Sequence, residues 1–474
     1  MTSMPGGLPQ AVHAALRRWH GGGQEALPWQ EMLVIARHLA QQPAPNLDLA
    51  IKEVVMKALN ALEATPRLED SSVLRLRFLD GFTAAETAGR LNLTQNIVYK
   101  RQREAIEALA ALVWQGEQEA RAARMDRILK RLESRHQEQL FGVDEKSAEL
   151  LAVLTSPEPP WMLALVGIGG VGKTSLADAA VRALATSPRF ADIAWVSARQ
   201  DRFTPWSGLQ PGAEGSPALS FEDLLGAVVK QFDFGDLARL SWEQQLAGLR
   251  ARFRQRPYLV VVDNLETAAD YRALIPNLQG LVDPGRFLLT CRRSLHDFPG
   301  VRSLRLDELS EADSLALLRH QARERGIDGI ATAPDEALRQ VYDAAGGNPL
   351  ALKLLVGQMH SLSLPRVVED LREARGRSVE DLYRHIYWRS WNLLDEAARR
   401  VLVVMPLVAE EGGRLSQVAA VSGVGGDRLG DALKQLDTLC LLNIGGTLQD
   451  RRYSIHRLTE SFLLNEVVKW QAAS

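Results

Sequence analysis

The spacing of apolar and polar residues divides the chain into regions of different character. Residues 1 to about 140 follow a helical period throughout. Residues 141 to about 300 alternate short β-rich runs with helical patterns, which predicts a parallel sheet covered by helices. Helical spacing returns from residue 301 and continues to Ser474. The exception is a hairpin-like pair of runs around Gly445-Gly446, namely Cys440–Ile444 and Arg452–Ile455.

The first candidate chemistry follows the apolar run Trp161–Val166. Residues 167–174 read Gly-Ile-Gly-Gly-Val-Gly-Lys-Thr, and the helix-like stretch Ser175–Leu184 comes next. This is the phosphate-binding P-loop, G-x-x-x-x-G-K-[ST], between a strand and a helix. Its glycines let successive backbone N–H groups turn toward phosphate oxygens, Lys173 supplies a charge for the β- and γ-phosphates, and Thr174 a hydroxyl for Mg²⁺. The nucleotide-binding residues predicted here are Gly167, Gly169, Gly170, Val171, Gly172, Lys173, Thr174 and Ser175.

A second apolar run, residues 258–263, ends in Asp263. A carboxylate at the end of such a strand is the Walker B pattern, which holds Mg²⁺ beside the P-loop. Further strands are predicted at Ile193–Ser197 and Phe287–Thr290. The residue after Asp263 is Asn264, whose amide orients water but does not take its proton, so we expect slow ATP hydrolysis. Glu266 is the nearby carboxylate that could substitute.

Several blocks in the order of the chain resemble the STAND NTPases, in particular the NB-ARC type found in plant resistance proteins and animal apoptosome proteins. The resemblance covers roughly residues 141–460. It is carried, besides the P-loop and Asp263, by these segments: Phe141-Gly142, Trp195-Val196-Ser197, Thr290-Cys291-Arg292, Gly347-Asn348-Pro349-Leu350 and Ile455-His456-Arg457. The chain departs from the family at Val143, where an arginine is usual, at Cys291 in place of a threonine, and on both sides of His456.

The resemblance implies roles for four of these places. Phe141 and Gly142 would lie against adenine, and so would Pro349. Arg292 would sense the γ-phosphate and form the catalytic set with Lys173 and Asp263. The histidine of the family contacts the β-phosphate of ADP, which points to His456. The residues alone also allow a plainer reading, in which Asn348 and Pro349 simply start a helix and His456 belongs to a hairpin.

The resemblance also implies the fold and the working cycle. We expect a multidomain chain in which an α/β P-loop NTPase domain is followed by an all-α helical domain and a winged-helix domain. ADP would hold the last domain closed, and ATP would favour an open form that oligomerises with other copies of the chain. ATP or ADP and Mg²⁺, held by Thr174 and Asp263, are the expected cofactors.

The amino-terminal region carries a second constellation. Val73–Asp80, a helix capped by Thr83, and a long helix from Gln95 to about Trp114 resemble a helix-turn-helix, as in the C-terminal DNA-binding domain of sigma factors. The residues expected to face double-stranded DNA are Gln95, Asn96, Tyr99, Lys100, Arg101 and Arg103. Residues 1–140 nevertheless hold 18 Lys+Arg against 16 Asp+Glu, and such a core also serves protein contacts.

The expected domain order follows from these patterns. It is an amino-terminal helical region, 1–65; a helix-turn-helix domain, 66–115; a helical linker, 116–140, including a charged helix over Leu129–Leu140; the nucleotide-binding domain, 141–300; a small helical domain, 301–375; and a winged-helix switch domain, 376–474. Eighteen residues follow His456, so we expect the signal to be sensed by the amino-terminal region, a separate protein or a nucleic acid.

Composition narrows the class of protein. The net charge is −2, which gives no general attraction to nucleic acid or membranes. The two cysteines, Cys291 and Cys440, fit a reducing compartment and exclude a disulfide framework. With no apolar run long enough to span a bilayer and no signal-peptide start, we expect a cytoplasmic protein without a membrane partner. Three functions remain: a nucleotide-gated DNA-binding regulator, an immune or signalling scaffold that recruits a separate effector or sensor, and an AAA+ ATPase of the origin-binding kind.

Overall fold

The computed structural model describes most of the chain. The described residues are 3–21, 28–42, 46–65, 68–132, 139–198, 219–268, 271–282, 285–292, 295–373, 379–408, 413–447, 450–455, 457–463 and 467. They form two compact units, residues 1–128 with 182–191 and residues 129–181 with 192–474. No helix among these residues has both the length and the apolar content needed to cross a membrane.

The first unit is helical, as its apolar spacing predicts. Its helices are α1 (Leu8–Arg17), α2 (Leu33–Gln41), α3 (Leu47–Glu63), α4 (Leu68–Leu74), α5 (Ala84–Leu91) and α6 (Gln95–Leu129), with a π-helical turn at Arg75–Leu79. Leu16, Leu59 and Leu109 are among the buried residues of its main core. The fully buried carboxylate of Glu117 accepts the backbone N–H groups of Leu33 and Val34, and so satisfies donors at the start of α2.

A smaller core in this unit belongs to the predicted helix-turn-helix. Val73, Ala84, Ala88 and Val98 are buried together between the ends of α4, α5 and α6. Helix α5 starts at Thr83, which forms a reciprocal capping box with Glu86. The second and third helices therefore begin where the sequence predicts them. The first was expected over Val73–Asp80 but starts at Leu68, and a π-helical turn replaces α-helix after Leu74.

The connection to the second unit differs from the expected linker. Helix α6 is 35 residues long, so the linker expected over 116–140 is helical as far as Leu129 because α6 simply continues. Of the segment Leu129–Leu140, residues 130–132 and 139–140 are not helical, and the expectation of a separate charged helix there is wrong for them.

The second unit begins with an α/β region. Its elements are α7 (Asp144–Thr155), β1 (Met162–Val166), α8 (Lys173–Leu184), β2 (Ile193–Ser197), α9 (Phe221–Gln231), α10 (Trp242–Gln255), β3 (Leu259–Asp263), α11 (Tyr271–Gln279), β4 (Arg286–Cys291) and β5 (Val301–Arg305). The strands form one parallel sheet in the order β2-β3-β4-β1-β5. Four strands were predicted from apolar runs, and all four are present.

The fifth strand was not predicted. Val301–Arg305 pairs with β1 at the edge of the sheet, with Leu304 as its one fully buried residue. Helical spacing was expected from residue 301, which is wrong for this segment; the helices begin at Glu311 instead. An edge strand has one side and part of a face in solvent, so most residues of β5 are polar and form no apolar run.

Helices fill the rest of the second unit. They are α12 (Glu311–Glu324), α13 (Asp328–Ala331), α14 (Asp335–Ala345), α15 (Pro349–Gln358), α16 (Leu364–Glu373), α17 (Val379–Asn392), α18 (Glu396–Val408), α19 (Leu415–Ser422) and α20 (Asp427–Thr438), then the strands β6 (Asn443–Gly446) and β7 (Arg451–Ser454) and helix α21 (Arg457–Phe462). Their buried side chains form one continuous core from Leu309 to Val467. Packing is close where Gly357 faces Leu439, because a Cβ on Gly357 would lie 2.6 Å from the Leu439 carbonyl carbon.

The carboxyl-terminal part has the arrangement of a winged helix. Helices α18, α19 and α20 are followed by the antiparallel hairpin β6–β7, to which Gly413 adds a bridge opposite Tyr453. The predicted hairpin is therefore present, but its glycines are not the turn. Gly445 and Gly446 pair with Arg452 and Arg451 inside the ladder, and the chain reverses after them.

Candidate functional site

The P-loop lies between the end of β1 and the start of α8, at the carboxyl edge of the sheet. Two of its glycines are required by close packing. A Cβ on Gly167 would lie 2.5 Å from the carbonyl oxygen of Leu306, and one on Gly170, where φ is +77°, would lie 2.8 Å from Oδ1 of Asn348. Helix α8 begins at Lys173 itself, two residues earlier than predicted, so its positive end is directed at the loop.

Lys173 is buried inside this loop. Its Nζ donates to the carbonyl oxygens of Gly167 and Ile168, both at 2.8 Å. Burial lowers the pKa of Lys173 to about 8, although the carboxylate of Glu266 opposes this shift. A buried cation at the amino-terminal end of a helix is suited to binding phosphate.

Asp263 ends β3 and is fully buried. Its Oδ1 accepts hydrogen bonds from the hydroxyls of Thr174, at 2.9 Å, and Thr290, at 2.6 Å; its Oδ2 accepts from Nδ2 of Asn264, at 2.7 Å. Strand β4 lies between β1 and β3, so the ends of all three strands meet at this edge.

These donors fit a magnesium ion. Mg²⁺ prefers hard oxygen ligands and takes one or two from the protein, with water and phosphate oxygens completing its shell. Thr174 and Asp263 offer a hydroxyl and a carboxylate in contact with each other. In the described part of the chain no cluster of three or more His, Cys, Asp or Glu residues is arranged to hold a metal by itself. Two protein oxygens leave the rest of a Mg²⁺ shell to water and phosphate oxygens, so the pair is suited to a metal bound together with a nucleotide.

Arg292 follows β4 and forms an ion pair with Glu266. Its Nε lies 3.1 Å from Oε1 of Glu266, and its backbone N–H donates to Oε2 at 3.2 Å. Both charges influence the pKa of Lys173, so the pair belongs to the same electrostatic site. The Glu266 side chain is 12% exposed, whereas that of Arg292 is 41% exposed. The guanidinium therefore has room to move, and the carboxylate has little.

The region predicted to hold adenine comes from the helical part of the second unit. Asn348 caps α15, its Oδ1 accepting the N–H of Leu350 at 3.1 Å, and its Nδ2 donates to the carbonyl of Gly169 in the P-loop at 2.9 Å. Pro349 is the first residue of α15, as the sequence predicts for this position. The GNPL segment is thus brought to the P-loop.

Phe141 and Gly142 lie against the same group of helices. The Phe141 ring is 5.3 Å from the ring of His320 on α12. Gly142 has φ of +62°, and a Cβ there would lie 2.7 Å from a carboxylate oxygen of Asp313. Val171 is buried within the P-loop. His456 lies outside the described residues.

In the first unit, five of the six residues predicted to face DNA are exposed together at the start of α6. They are Gln95, Asn96, Tyr99, Lys100 and Arg103. Arg101 differs, because it is partly buried and forms an ion pair with Glu69 on α4. Ile97 and Tyr99 are large apolar side chains with 41% and 53% exposure. The surface is therefore mixed in character, with polar, basic and apolar side chains.

Two contacts of the nucleotide site were missed by sequence reasoning. The Thr290 hydroxyl on Asp263 and the Asn348 amide on Gly169 both join elements that are distant in sequence. A signal for Thr290 was available, since it ends a predicted strand next to Arg292. Nothing in the local sequence of Asn348 distinguishes a helix cap that also binds the P-loop from an ordinary one.

No family model matches the chain. Among curated proteins it is 24% identical over 233 residues to the disease resistance protein RPM1 of Arabidopsis thaliana, covering 46% of this chain and 23% of that protein. It is 31% identical over 201 residues to the regulatory protein AfsR of Streptomyces coelicolor, covering 41% of this chain and 18% of that protein. The chain therefore matches about a fifth of the length of each of these relatives.

Several solved structures align with much of this chain at low identity. A Signal Transduction ATPase with Numerous Domains (STAND) carrying a tetratricopeptide repeat sensor, from Pyrococcus horikoshii, aligns over 70% of this chain and 44% of its own, with 16% identity and a TM-score of 0.45. Cdc6p from Pyrobaculum aerophilum aligns over 70% of this chain and 96% of its own, with 12% identity and a TM-score of 0.33.

Proposed function

Since this chain is a P-loop NTPase of the STAND class and NB-ARC type, we propose that it is a switch gated by ATP and ADP and reset by slow hydrolysis of ATP. A ligand shifts a conformational equilibrium only by the difference in its affinity for the two forms. ATP and ADP differ by the γ-phosphate, so the switch requires a protein group that binds that phosphate. The observation that carries the proposal is the exposed, ion-paired Arg292 beside Lys173.

The phosphates would be held by the P-loop. Gly167 to Gly172 supply backbone N–H groups, Val171 packs the loop, and Lys173 exchanges its two carbonyl acceptors for phosphate oxygens. Thr174 and Asp263 would hold Mg²⁺. Ser175 lies in the first turn of α8, next to the phosphates. When bound, Mg²⁺ would neutralise phosphate charge. Arg292 would leave Glu266 for the γ-phosphate.

The nucleotide state would reach the helical domain through α15. Asn348 joins the P-loop to the start of this helix, and Pro349 follows it, where the resemblance places adenine. Phe141 and Gly142 would take the other side of the base. His456 is proposed as the contact to the β-phosphate of ADP that closes the last domain. Release of that contact with ATP would allow copies of the chain to assemble.

The output is proposed to be transcriptional, through the exposed face of the helix-turn-helix. Asn96 and Gln95 suit base edges, and Lys100 and Arg103 suit phosphates or guanine. A regulatory role agrees with the naming of AfsR as a regulatory protein. The second candidate is a scaffold that recruits a separate effector or sensor protein. The exposed apolar side chains of Ile97 and Tyr99 favour it, because apolar surface is more often buried by a protein than by a phosphate backbone.

One experiment tests the switch. The purified full chain is loaded with ADP or with a slowly hydrolysed ATP analogue in the presence of Mg²⁺, and its molar mass is measured by light scattering after gel filtration. We expect a larger assembly with the ATP analogue than with ADP. The rate at which a protease cleaves the protein is compared in the same two states. Equal mass and equal protease sensitivity would contradict a nucleotide-gated switch.

A second experiment separates the two outputs. Genomic DNA fragments are offered to the protein in each nucleotide state, and the retained fragments are sequenced. A recurrent sequence supports the transcriptional output. Retention that is only sequence-independent and falls with salt, or no retention, assigns the helix-turn-helix to protein contacts.

A further inference from the structure

Glu266 is a largely buried carboxylate in the nucleotide site that the proposed cycle does not yet use. It lies on the short 3₁₀ turn Leu265–Thr267 directly after β3. Its side chain is only 12% exposed. Among the charges that act on Lys173, Glu266 is the strongest and exceeds Asp263. The carboxylate therefore lies near the ammonium of Lys173, just after the strand that ends in Asp263.

The two oxygens of Glu266 are engaged differently. Oε2 accepts the backbone N–H of Arg292. Oε1 lies 3.1 Å from the Arg292 Nε as an ion pair, yet no donor among the described residues meets it in hydrogen-bond geometry. A buried carboxylate oxygen without a hydrogen-bond donor is costly, so Oε1 has a strong tendency to accept one. A water molecule beside the γ-phosphate offers such a donor.

The other groups near this place are unsuited to taking a proton. Asn264 is an amide, and its Nδ2 is bound to Asp263. Asp263 already accepts hydrogen bonds from the hydroxyls of Thr174 and Thr290 and from this amide. It is also the carboxylate expected to hold Mg²⁺. Within the part of the P-loop site that the structure describes, Glu266 is the carboxylate that accepts none of these hydrogen bonds and is not expected to hold Mg²⁺.

We propose that Glu266 accepts the proton of the water that hydrolyses ATP, and that Arg292 restrains it while the site holds ADP. This rests on the proposed function, in which Arg292 answers to the γ-phosphate. When ATP binds, Arg292 exchanges its carboxylate partner for the γ-phosphate, and Glu266 is released. The water oxygen forms a bond to the γ-phosphorus, the proton of the water passes to Oε1 of Glu266, and the bond from the γ-phosphorus to the bridging oxygen breaks with its electron pair remaining on ADP.

The exchange would supply a proton acceptor for the proposed hydrolysis although Asn264 occupies the position after Asp263. One guanidinium serves two anions in turn, so the proton acceptor is released only when the γ-phosphate is present. Glu266 thus makes hydrolysis depend on the group that distinguishes ATP from ADP.

The test is a single-turnover measurement with the full chain in excess over radiolabelled ATP and Mg²⁺. Glu266→Gln keeps the size and polarity of the side chain but removes its ability to take a proton. We expect the hydrolysis rate to fall by about 100-fold or more, the usual contribution of a general base. The affinity for a slow ATP analogue should stay equal to that of the wild type or rise by about threefold, because Arg292 loses the ion-pair partner that competes with the γ-phosphate. Glu266→Asp, which keeps a carboxylate, should hydrolyse faster than Glu266→Gln.

The matched control is Glu158→Gln, the same chemical change at an exposed glutamate before β1, at the opposite edge of the sheet. It should hydrolyse ATP at the wild-type rate. The proposal is overturned by a Glu266→Gln variant that hydrolyses ATP as the wild type does, by one that no longer binds nucleotide, or by a wild type that leaves bound ATP intact. The switch itself is judged separately, by the mass of the wild-type protein with ADP and with the ATP analogue.

Discussion

The side-chain amide of Asn348 donates to the carbonyl oxygen of Gly169 at 2.9 Å, and so joins the start of α15 to the P-loop. The same side chain accepts the N–H of Leu350, which caps the helix. Gly170 is in close contact with it, since a Cβ there would lie 2.8 Å from Oδ1 of Asn348. Any change in the P-loop backbone on nucleotide binding therefore acts directly on α15.

Asn348 carries two interactions that substitution can separate. Asn348→Ala removes both the cap and the link, and we expect the midpoint of thermal unfolding to fall by about 2–4 °C, from about 1 kcal/mol of lost capping. Asn348→Asp keeps a good capping oxygen but directs a carboxylate at the Gly169 carbonyl. Its unfolding midpoint without nucleotide should fall at least as far as that of the alanine variant, because a buried carboxylate that faces a carbonyl oxygen is unfavourable.

Both variants should gain less thermal stability from saturating ADP than the wild type gains, because the P-loop no longer holds α15. Differential scanning fluorimetry with and without ADP measures this gain. If the ADP-induced shift is the same in all three proteins, Asn348 acts only as a helix cap.

Lys173→Ala should weaken binding of both ADP and ATP. The ammonium is the positive side chain enclosed by the loop, and hydrogen bonds between charged groups contribute about 1.5–3 kcal/mol, or roughly 10- to 100-fold in affinity. Titration of a fluorescent ADP analogue measures the change. Lys230→Ala, at an exposed lysine of α9, is the control and should bind as the wild type does. Normal ADP retention in Lys173→Ala would contradict the site assignment.

Nucleotide affinity should depend on pH through Lys173. Burial lowers the pKa of this lysine to about 8 in the free site, and bound phosphate favours the charged form and raises the pKa again. Binding therefore takes up a proton above pH 8 and none well below it. The affinity for ADP should be constant from about pH 6.5 to 7.5 and then fall, by at most about tenfold for each unit above 8. Calorimetry in two buffers of different ionisation enthalpy would detect the proton uptake at pH 8.5; constant affinity up to pH 9.5 would contradict it.

The central strands of the fold could be predicted because they are buried on both faces. Val260, Val261 and Val262 in β3, like the residues of β1, form an uninterrupted apolar run that ends at a functional residue. The edge strand β5 has no such run, since Arg302 and Arg305 are exposed beside the buried Leu304. The length of α6 was underestimated because its charged second half has no regular apolar face from which a helix can be recognised.

The candidate site was predictable to the extent that each residue follows a predicted strand. Lys173 and Asp263 are identified by a motif and by a strand end. The pairing of Glu266 with Arg292 was not predictable, because it depends on β3 and β4 being neighbours, and strand order cannot be read from apolar runs. The same holds for Asn348, whose contact with Gly169 spans 179 residues.

His456→Ala is expected to speed the release of ADP and to leave the release of ATP less affected. The resemblance gives this histidine a contact with the β-phosphate in the closed form, and ADP depends on that contact more than ATP, which also has Arg292. Release is followed by chasing a fluorescent nucleotide with an excess of unlabelled ADP. His296→Ala, at an exposed histidine of the nucleotide domain, is the control. An unchanged rate of ADP release in His456→Ala would remove His456 from the switch.

The exposed face of α6 makes a quantitative prediction for binding to DNA. Arg103 is exposed, whereas Arg101 is already paired with Glu69 and partly buried, so Arg103 is the better placed to reach a phosphate or a base. We expect Arg103→Ala to weaken binding to a selected DNA fragment by about 1–3 kcal/mol if it reads a base, with relaxed preference at one position. If it contacts a phosphate, binding should weaken on all sequences and the slope of log affinity against log salt should drop by about 1.

A matched control distinguishes this surface from the rest of the helix. Arg127 is also exposed on α6 but lies about seven turns further along it than Arg103, at about 3.6 residues a turn, outside the helix-turn-helix. Arg127→Ala should bind the fragment as the wild type does, as measured by fluorescence anisotropy at several salt concentrations. Equal losses in Arg103→Ala and Arg127→Ala would mean that the attraction is diffuse, because a specific docking surface depends on the position of a charge and not only on its presence. In that case Tyr99 and Ile97 become the residues to substitute in a search for a protein partner.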